Sequence, residues 1–133
     1  MLDNLKEKAE KHFEKAKKKL EAAKLLLEKE FFDDSVSRAY YAMYHAAKAV
    51  LILKNIDPQK HAGVVSMFGL HFVNEGLIER YLGSALAYAK ETREIGDYEE
   101  FMETSKDTAE AVIDDAENFL EKVGALLQKM LAK

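Results

Sequence analysis

The sequence predicts an all-α fold, an up-and-down helical bundle of about five helices in a single domain spanning 1–133. Three observations carry this. Ala, Leu, Glu and Lys dominate, residues that cost little in a helix. Apolar residues recur at spacings of three and four and nowhere alternate as a strand would. The chain has one Pro, six Gly and no Ser/Gly-rich run to serve as a linker. At 133 residues and 48% hydrophobic content it can bury one core, and no second domain is expected.

The first helix is expected over 3–29, where Leu5, Ala9, Phe13, Ala16, Leu20, Ala23 and Leu27 keep the helical spacing. Its other faces hold Lys15, Lys17, Lys18, Lys19 and several Glu and read as solvated, with i,i+4 pairs. Phe31 and Phe32 precede Asp33 and Asp34, whose carboxylates are suited to cap a second helix while the aromatics pin its start. That helix runs to Lys54 and is stopped by Asn55-Ile56-Asp57-Pro58. A third, weakened by Gly63 and Gly69, takes 62–74 through Val64, Val65, Phe68, Phe72 and Val73, with Gly76 as terminator. A fourth reads from Leu77 to Ile95 through Leu82, Leu86 and Ala89, ended by Gly96, and Asp97-Tyr98 begin a turn. The last opens near Thr104 or Ser105, with Thr104 and Asp107 as a capping box, and continues through Ala109, Val112, Ala116, Phe119, Val123, Leu126 and Met130. The two long terminal helices should pack antiparallel around the second.

Composition excludes several chemistries. With no cysteine there is no disulfide or thiolate metal site, and the cytoplasm is the default compartment. No stretch reads as a membrane span or export signal. There is no HExxH, no Gly-rich phosphate loop followed by Lys-Ser/Thr, no GxGxxG after a strand and no Ser in a strand-to-helix elbow. Neither a metal nor a cofactor is expected. A net charge of -4 argues against a general clamp on nucleic acid and leaves room for a local basic pocket.

What stands out is Ser37-Arg38-Ala39-Tyr40-Tyr41-Ala42-Met43-Tyr44-His45-Ala46-Ala47-Lys48. Arg38 and His45 are seven residues apart, which at the helical pitch brings them within about 20° of one direction, with Tyr41 between them. Val36, Tyr40, Met43, Ala47 and Val50 form a core stripe beside that line. An imidazole moves protons near neutrality and a guanidinium grips phosphate, a pairing suited to cleaving RNA through its own 2'-hydroxyl. His45 would take or give the proton, Arg38 would stabilise the phosphorane-like charge, and the product would carry a 2',3'-cyclic phosphate. One histidine serves two proton transfers poorly, so a twofold homodimer is expected. The plain structural alternative is equally open: a boundary histidine, a packed tyrosine, and Arg38 paired with Asp97 or Glu91.

The same segment resembles the signature helix of HEPN-domain proteins, whose motif is Arg, four to six residues, then His; the gap here is six. The resemblance continues at Lys60-His61-Ala62-Gly63-Val64, from Phe68 to Gly76, and at Arg93-Glu94-Ile95-Gly96-Asp97-Tyr98. It implies a dimeric helical bundle, often encoded beside a minimal nucleotidyltransferase as a toxin and antitoxin pair. In metal-independent endoribonucleases of the family the motif residues are catalytic, roles that would fall on Arg38 and His45. Ser37, Tyr41, His61, Arg93 and Tyr98 become the nucleotide- or RNA-binding candidates. Tyr44 becomes the candidate for nucleotidylation by the partner, with Tyr40 and Tyr41 as competitors. Active members commonly carry a polar residue after the motif Arg, where this chain has Ala39. Hence two other functions follow the same residues: a non-catalytic nucleotide-binding helper of the nucleotidyltransferase, and a structural dimerisation domain. His12 and His71 lie outside the motif and read as surface or boundary residues.

Overall fold

The computed structural model describes residues 2–98 and 103–133, and among them the chain is helical with no strand. Helix α1 spans Leu2–Glu28, α2 Phe32–Leu53, α3 His61–Phe68, α4 Arg80–Tyr98 and α5 Lys106–Leu131, with a π-helical turn, Gly69–Val73, continuing α3. No helix of the described residues is long and apolar enough to cross a membrane.

Helix α2 is the centre, because its sequence has an apolar or small residue on nearly every side. Val36, Tyr40, Met43, Ala47 and Val50 are all buried, as the core stripe required. Ala39, Ala42, Ala46 and Ala49 are buried as well and let the neighbouring helices approach closely. On α1 the fully buried residues are Ala9, Ala16 and Ala23, spaced by seven, with Leu5, Phe13, Leu20 and Leu27 flanking them. Small residues on both sides of the α1–α2 seam bring the two backbones together. Helices α1 and α5 run antiparallel: Lys24 pairs with Glu117 at 3.4 Å, whereas Phe13 lies against Gly124.

Helix ends depart from the sequence-based expectation, each for a physical reason. Phe31 is the N-cap of α2 and no side chain caps it; Asp33 and Asp34 lie inside the first turn, where the helix dipole favours their charge. Asp33 Oδ1 instead accepts the Thr104 backbone N–H at 2.9 Å, tying the start of α2 to the segment before α5. Phe31 is 57% exposed and pins nothing, while Phe32 packs on the core. At the other end of α2, Asn55 adopts φ 61°, and its N–H and that of Ile56 bond back to the carbonyls of Ile52 and Leu51. This Schellman closure ends the helix before Pro58 has any part. The same pattern closes α1 at Glu30 (φ 65°) and the π-helical turn at Gly76 (φ 76°).

Two glycines behave differently from the expectation. Gly96 does not end α4, which begins three residues later than expected and continues through Asp97 and Tyr98. A Cβ at Gly96 would lie 3.2 Å from Asp33 Oδ1, so the residue serves close approach at the α2 start. Gly69 opens the π-helical turn, with Asn74 N–H bonded to Gly69 C=O at 2.8 Å, rather than sitting within one continuous helix. In α5 the cap is Ser105, whose hydroxyl accepts from Thr108 N–H at 3.1 Å; Thr104 and Asp107 form no capping box because Thr104 N–H is held by Asp33.

Candidate active site

Where the first half of α2 faces α1, an open cleft of about 580 Å³ is lined by Lys15, Lys19, Leu26, Asp34, Ser37, Arg38, Tyr41 and His45. The helical spacing of Arg38, Tyr41 and His45 does bring them together, with Ser37 beside them. Arg38 is exposed and makes no ion pair among the described residues. Asp97, a partner expected for it, lies 3.2 Å from Arg93 Nε instead. Lys15 and Lys19, read in the sequence as part of a solvated face, turn this cleft basic within an acidic chain. Burial, then the Arg38 and Lys15 charges, lower the affinity of Lys19 for its proton. Three cations against Asp34 leave the cleft locally positive.

His45 is half-buried at the inner end of the cleft, and His12 of α1 meets it there. Their Nδ1 atoms are 3.1 Å apart and the rings are inclined by 23°. His12 is therefore part of the site region rather than an isolated boundary residue. Burial, reinforced by His12, Lys15, Lys19 and Lys48, pushes the His45 pKa down to about 4. Burial and Lys48 also hold His12 below its ordinary value, against the attraction of Asp57. Both imidazoles are consequently neutral near pH 7.

Across Tyr41 lies a second cluster. His61 stacks on Tyr44 with centroids 4.4 Å apart, and its Nδ1 shares a 2.7 Å hydrogen bond with the Tyr40 hydroxyl. Tyr40 is fully buried, which drives its hydroxyl well above the usual phenol range. The Arg93 guanidinium sits 5.0 Å from the Tyr41 ring centre and 5.7 Å from that of Tyr40. Asp97 neutralises Arg93 but lies off the Nε–H direction, leaving that N–H without a hydrogen bond among the described residues. Lys48, buried, pairs with Asp57 at 2.6 Å and clamps the α2–α3 loop. Of the sequence candidates, Ser37, Arg38, Tyr41 and His45 share the cleft, while His61 and Arg93 belong to this neighbouring cluster. Tyr98, 83% exposed at the end of α4, joins neither. Among the described residues no three His, Asp or Glu side chains converge as metal ligands.

Nothing in the motif points to His12, Lys15 or Lys19. Their only signal is their spacing, i, i+3 and i+7, which puts them on one stripe of α1. Comparison with known proteins gives the family. Residues 9–126 match the model of the HEPN domain. The chain belongs to the HEPN family. A protein of Methanocaldococcus jannaschii named "Putative toxin" is 41% identical over 128 residues, covering 96% of this chain and 95% of that one. A second protein of that organism with the same designation is 38% identical over 117 residues, 88% of this chain and 80% of its own length. A UPF0332 protein of Pyrococcus horikoshii is 55% identical over 84 residues, 63% of this chain; this HEPN chain spans only 59% of that relative.

Proposed function

We propose that this HEPN protein is a toxin-like, metal-independent endoribonuclease whose site is built on Arg38 and His45. The observation that carries the reading is the cleft itself: a guanidinium with no ion pair among the described residues, a neutral imidazole and two lysines line one open, locally basic surface. A neutral His45 can accept the 2'-hydroxyl proton, and Arg38 can stabilise charge on the phosphorus oxygens with no metal ion. Tyr41 offers a ring face to a base and Ser37 a hydroxyl to a phosphate. The family resemblance implies a dimer, and an exposed Arg38 at the rim of an open cleft suits a site completed by the same face of a second copy. A minimal nucleotidyltransferase is the antitoxin partner in this reading. Tyr44 is its acceptor, since the Tyr40 hydroxyl is buried and engaged by His61.

Total RNA incubated in chelator with wild type, Arg38→Ala and His45→Ala tests this. Wild type should leave 2',3'-cyclic phosphate ends, and each variant should lose about a hundredfold or more in rate while keeping its fold. RNA left intact by unmodified wild type rules the nuclease out. Ala39 supports a second reading. It is fully buried and places no group in the cleft, so the cleft lacks the polar neighbour common in active members. The protein would then be a nucleotide-holding helper of the nucleotidyltransferase, and intact RNA together with nucleotide binding lost in Arg38→Ala would identify it.

A further inference from the structure

Two neutral imidazoles that share an Nδ1–Nδ1 hydrogen bond must be opposite tautomers, because one nitrogen carries the proton and the other a lone pair. The surroundings decide which is which. The side-chain charges that act on His45 are cations, Lys15 and Lys19 from α1 and Lys48 from its own helix, while Arg38 and the carboxylate of Asp34 line the same cleft. Tyr44 and Tyr41 are the other titratable groups on that side. With Nδ1 engaged by His12, Nε2 is the ring nitrogen left for the cleft. A lone pair there is favoured beside cations, and an N–H dipole is opposed by them. Lys48 and Lys15 act on His12 as well, but there the Asp57 carboxylate of the α2–α3 loop opposes them, so an N–H on the outer nitrogen of His12 is disfavoured less than one on that of His45.

We propose that His12 is a positioning residue for His45: its Nδ1 accepts the His45 Nδ1–H and so holds His45 in the tautomer that presents an Nε2 lone pair to the cleft. The inference rests on the reading of His45 as the base of the site. It also removes a weakness of that reading, because an unheld imidazole would spend much of its time with Nε2 protonated and unable to accept the substrate proton. No proton is consumed or supplied by the arrangement; the shared one stays on His45 Nδ1 and the substrate proton arrives at Nε2.

Long-range proton–nitrogen NMR of the imidazoles, recorded on the full chain near neutral pH, tests it independently of RNA. His45 should carry its proton on Nδ1 in wild type and shift toward Nε2 in His12→Ala. It should stay on Nδ1 in His12→Gln, whose side-chain carbonyl can accept the same hydrogen bond. A wild-type His45 protonated on Nε2, or a tautomer that ignores His12→Ala in a folded protein, overturns the proposal. In RNA cleavage, His12→Ala should lower kcat about tenfold or more with KM unchanged, and His12→Gln should restore most of it. Equal loss in both variants also overturns it. Inactivity of the wild type would remove the nuclease reading alone, and the tautomers would still decide this one.

Discussion

The two flanks of Tyr41 contain the same residue types in opposite condition. On one side Arg93 has Asp97 as counter-ion and two aromatic rings beside it, and His61 is stacked on Tyr44 and bonded to Tyr40. On the other, Arg38 has no ion-pair partner among the described residues, and His45 keeps one nitrogen toward an open cleft. There the cation and the imidazole are engaged mainly with neighbours, although Arg93 Nε–H has no hydrogen bond among the described residues, and they tie α3 and α4 to α2. The same pair left unsatisfied in a shaped surface has interaction capacity to spare for a ligand. The contrast gives each flank a distinct experimental signature.

The largest effect should come from the satisfied flank. Tyr40→Ala removes a fully buried ring and the His61 hydrogen bond and should cost about 3–5 kcal/mol in urea unfolding, as loss of large buried aromatics does. Arg38→Ala, the matching change across Tyr41, should stay within about 0.5 kcal/mol of wild type, as an exposed residue with no partner does. If Arg38→Ala destabilises as Tyr40→Ala does, the contrast collapses.

A smaller change, in the turn between α1 and α2, is Glu30→Gly. The residue sits at φ 65° in the closure of α1, and glycine there should add about 1 kcal/mol of stability without changing RNA cleavage. A decrease would show that the Glu30 side chain is needed. The last prediction concerns pH. His45 has its pKa depressed from 6.5 to about 4 on folding, so the unfolded chain binds the proton more readily. Its contribution is complete above the unfolded value and is lost as pH falls through that interval. Tm should therefore drop between neutral pH and pH ~5 by a larger amount in wild type than in His45→Gln. Equal drops would place His45 in water rather than in the half-buried setting described above.

The bundle was legible in the sequence because α1 and α5 repeat apolar residues over many turns, and burial on one face enforces that spacing. Within the site, Ser37, Arg38, Tyr41 and His45 were legible for the same reason, being neighbours along one helix. Their companions were not. His12 lies 33 residues from His45, and its meeting with it depends on how α1 rotates against α2. Lys15 and Lys19 looked like a solvated face because periodicity cannot tell which polar stripe overlooks a neighbour's cleft. Glycine was an uneven marker of helix ends: Gly76 closes the π-helical turn as expected, but Gly96 stays helical, and Glu30 and Asn55 take the left-handed conformation at the ends of α1 and α2. Hydrogen bonds back to the preceding turn, and the docking of the chain that follows, chose those ends.

The alanine seam between α1 and α2 has a consequence for the order of the histidine pair. Ala9, Ala16 and Ala23 have no rotamers to freeze, so closing this seam costs almost no side-chain entropy, where a seam of longer residues would cost up to about 2 kcal/mol for each one immobilised. Nor has it alternative packings to sample once formed. His12 and His45 are thus carried on two backbones whose separation is fixed by methyl groups, and their contact is set before any substrate arrives. On the proposed function, that ordering is already done when substrate binds, and the binding energy of an RNA is left for the reacting phosphate.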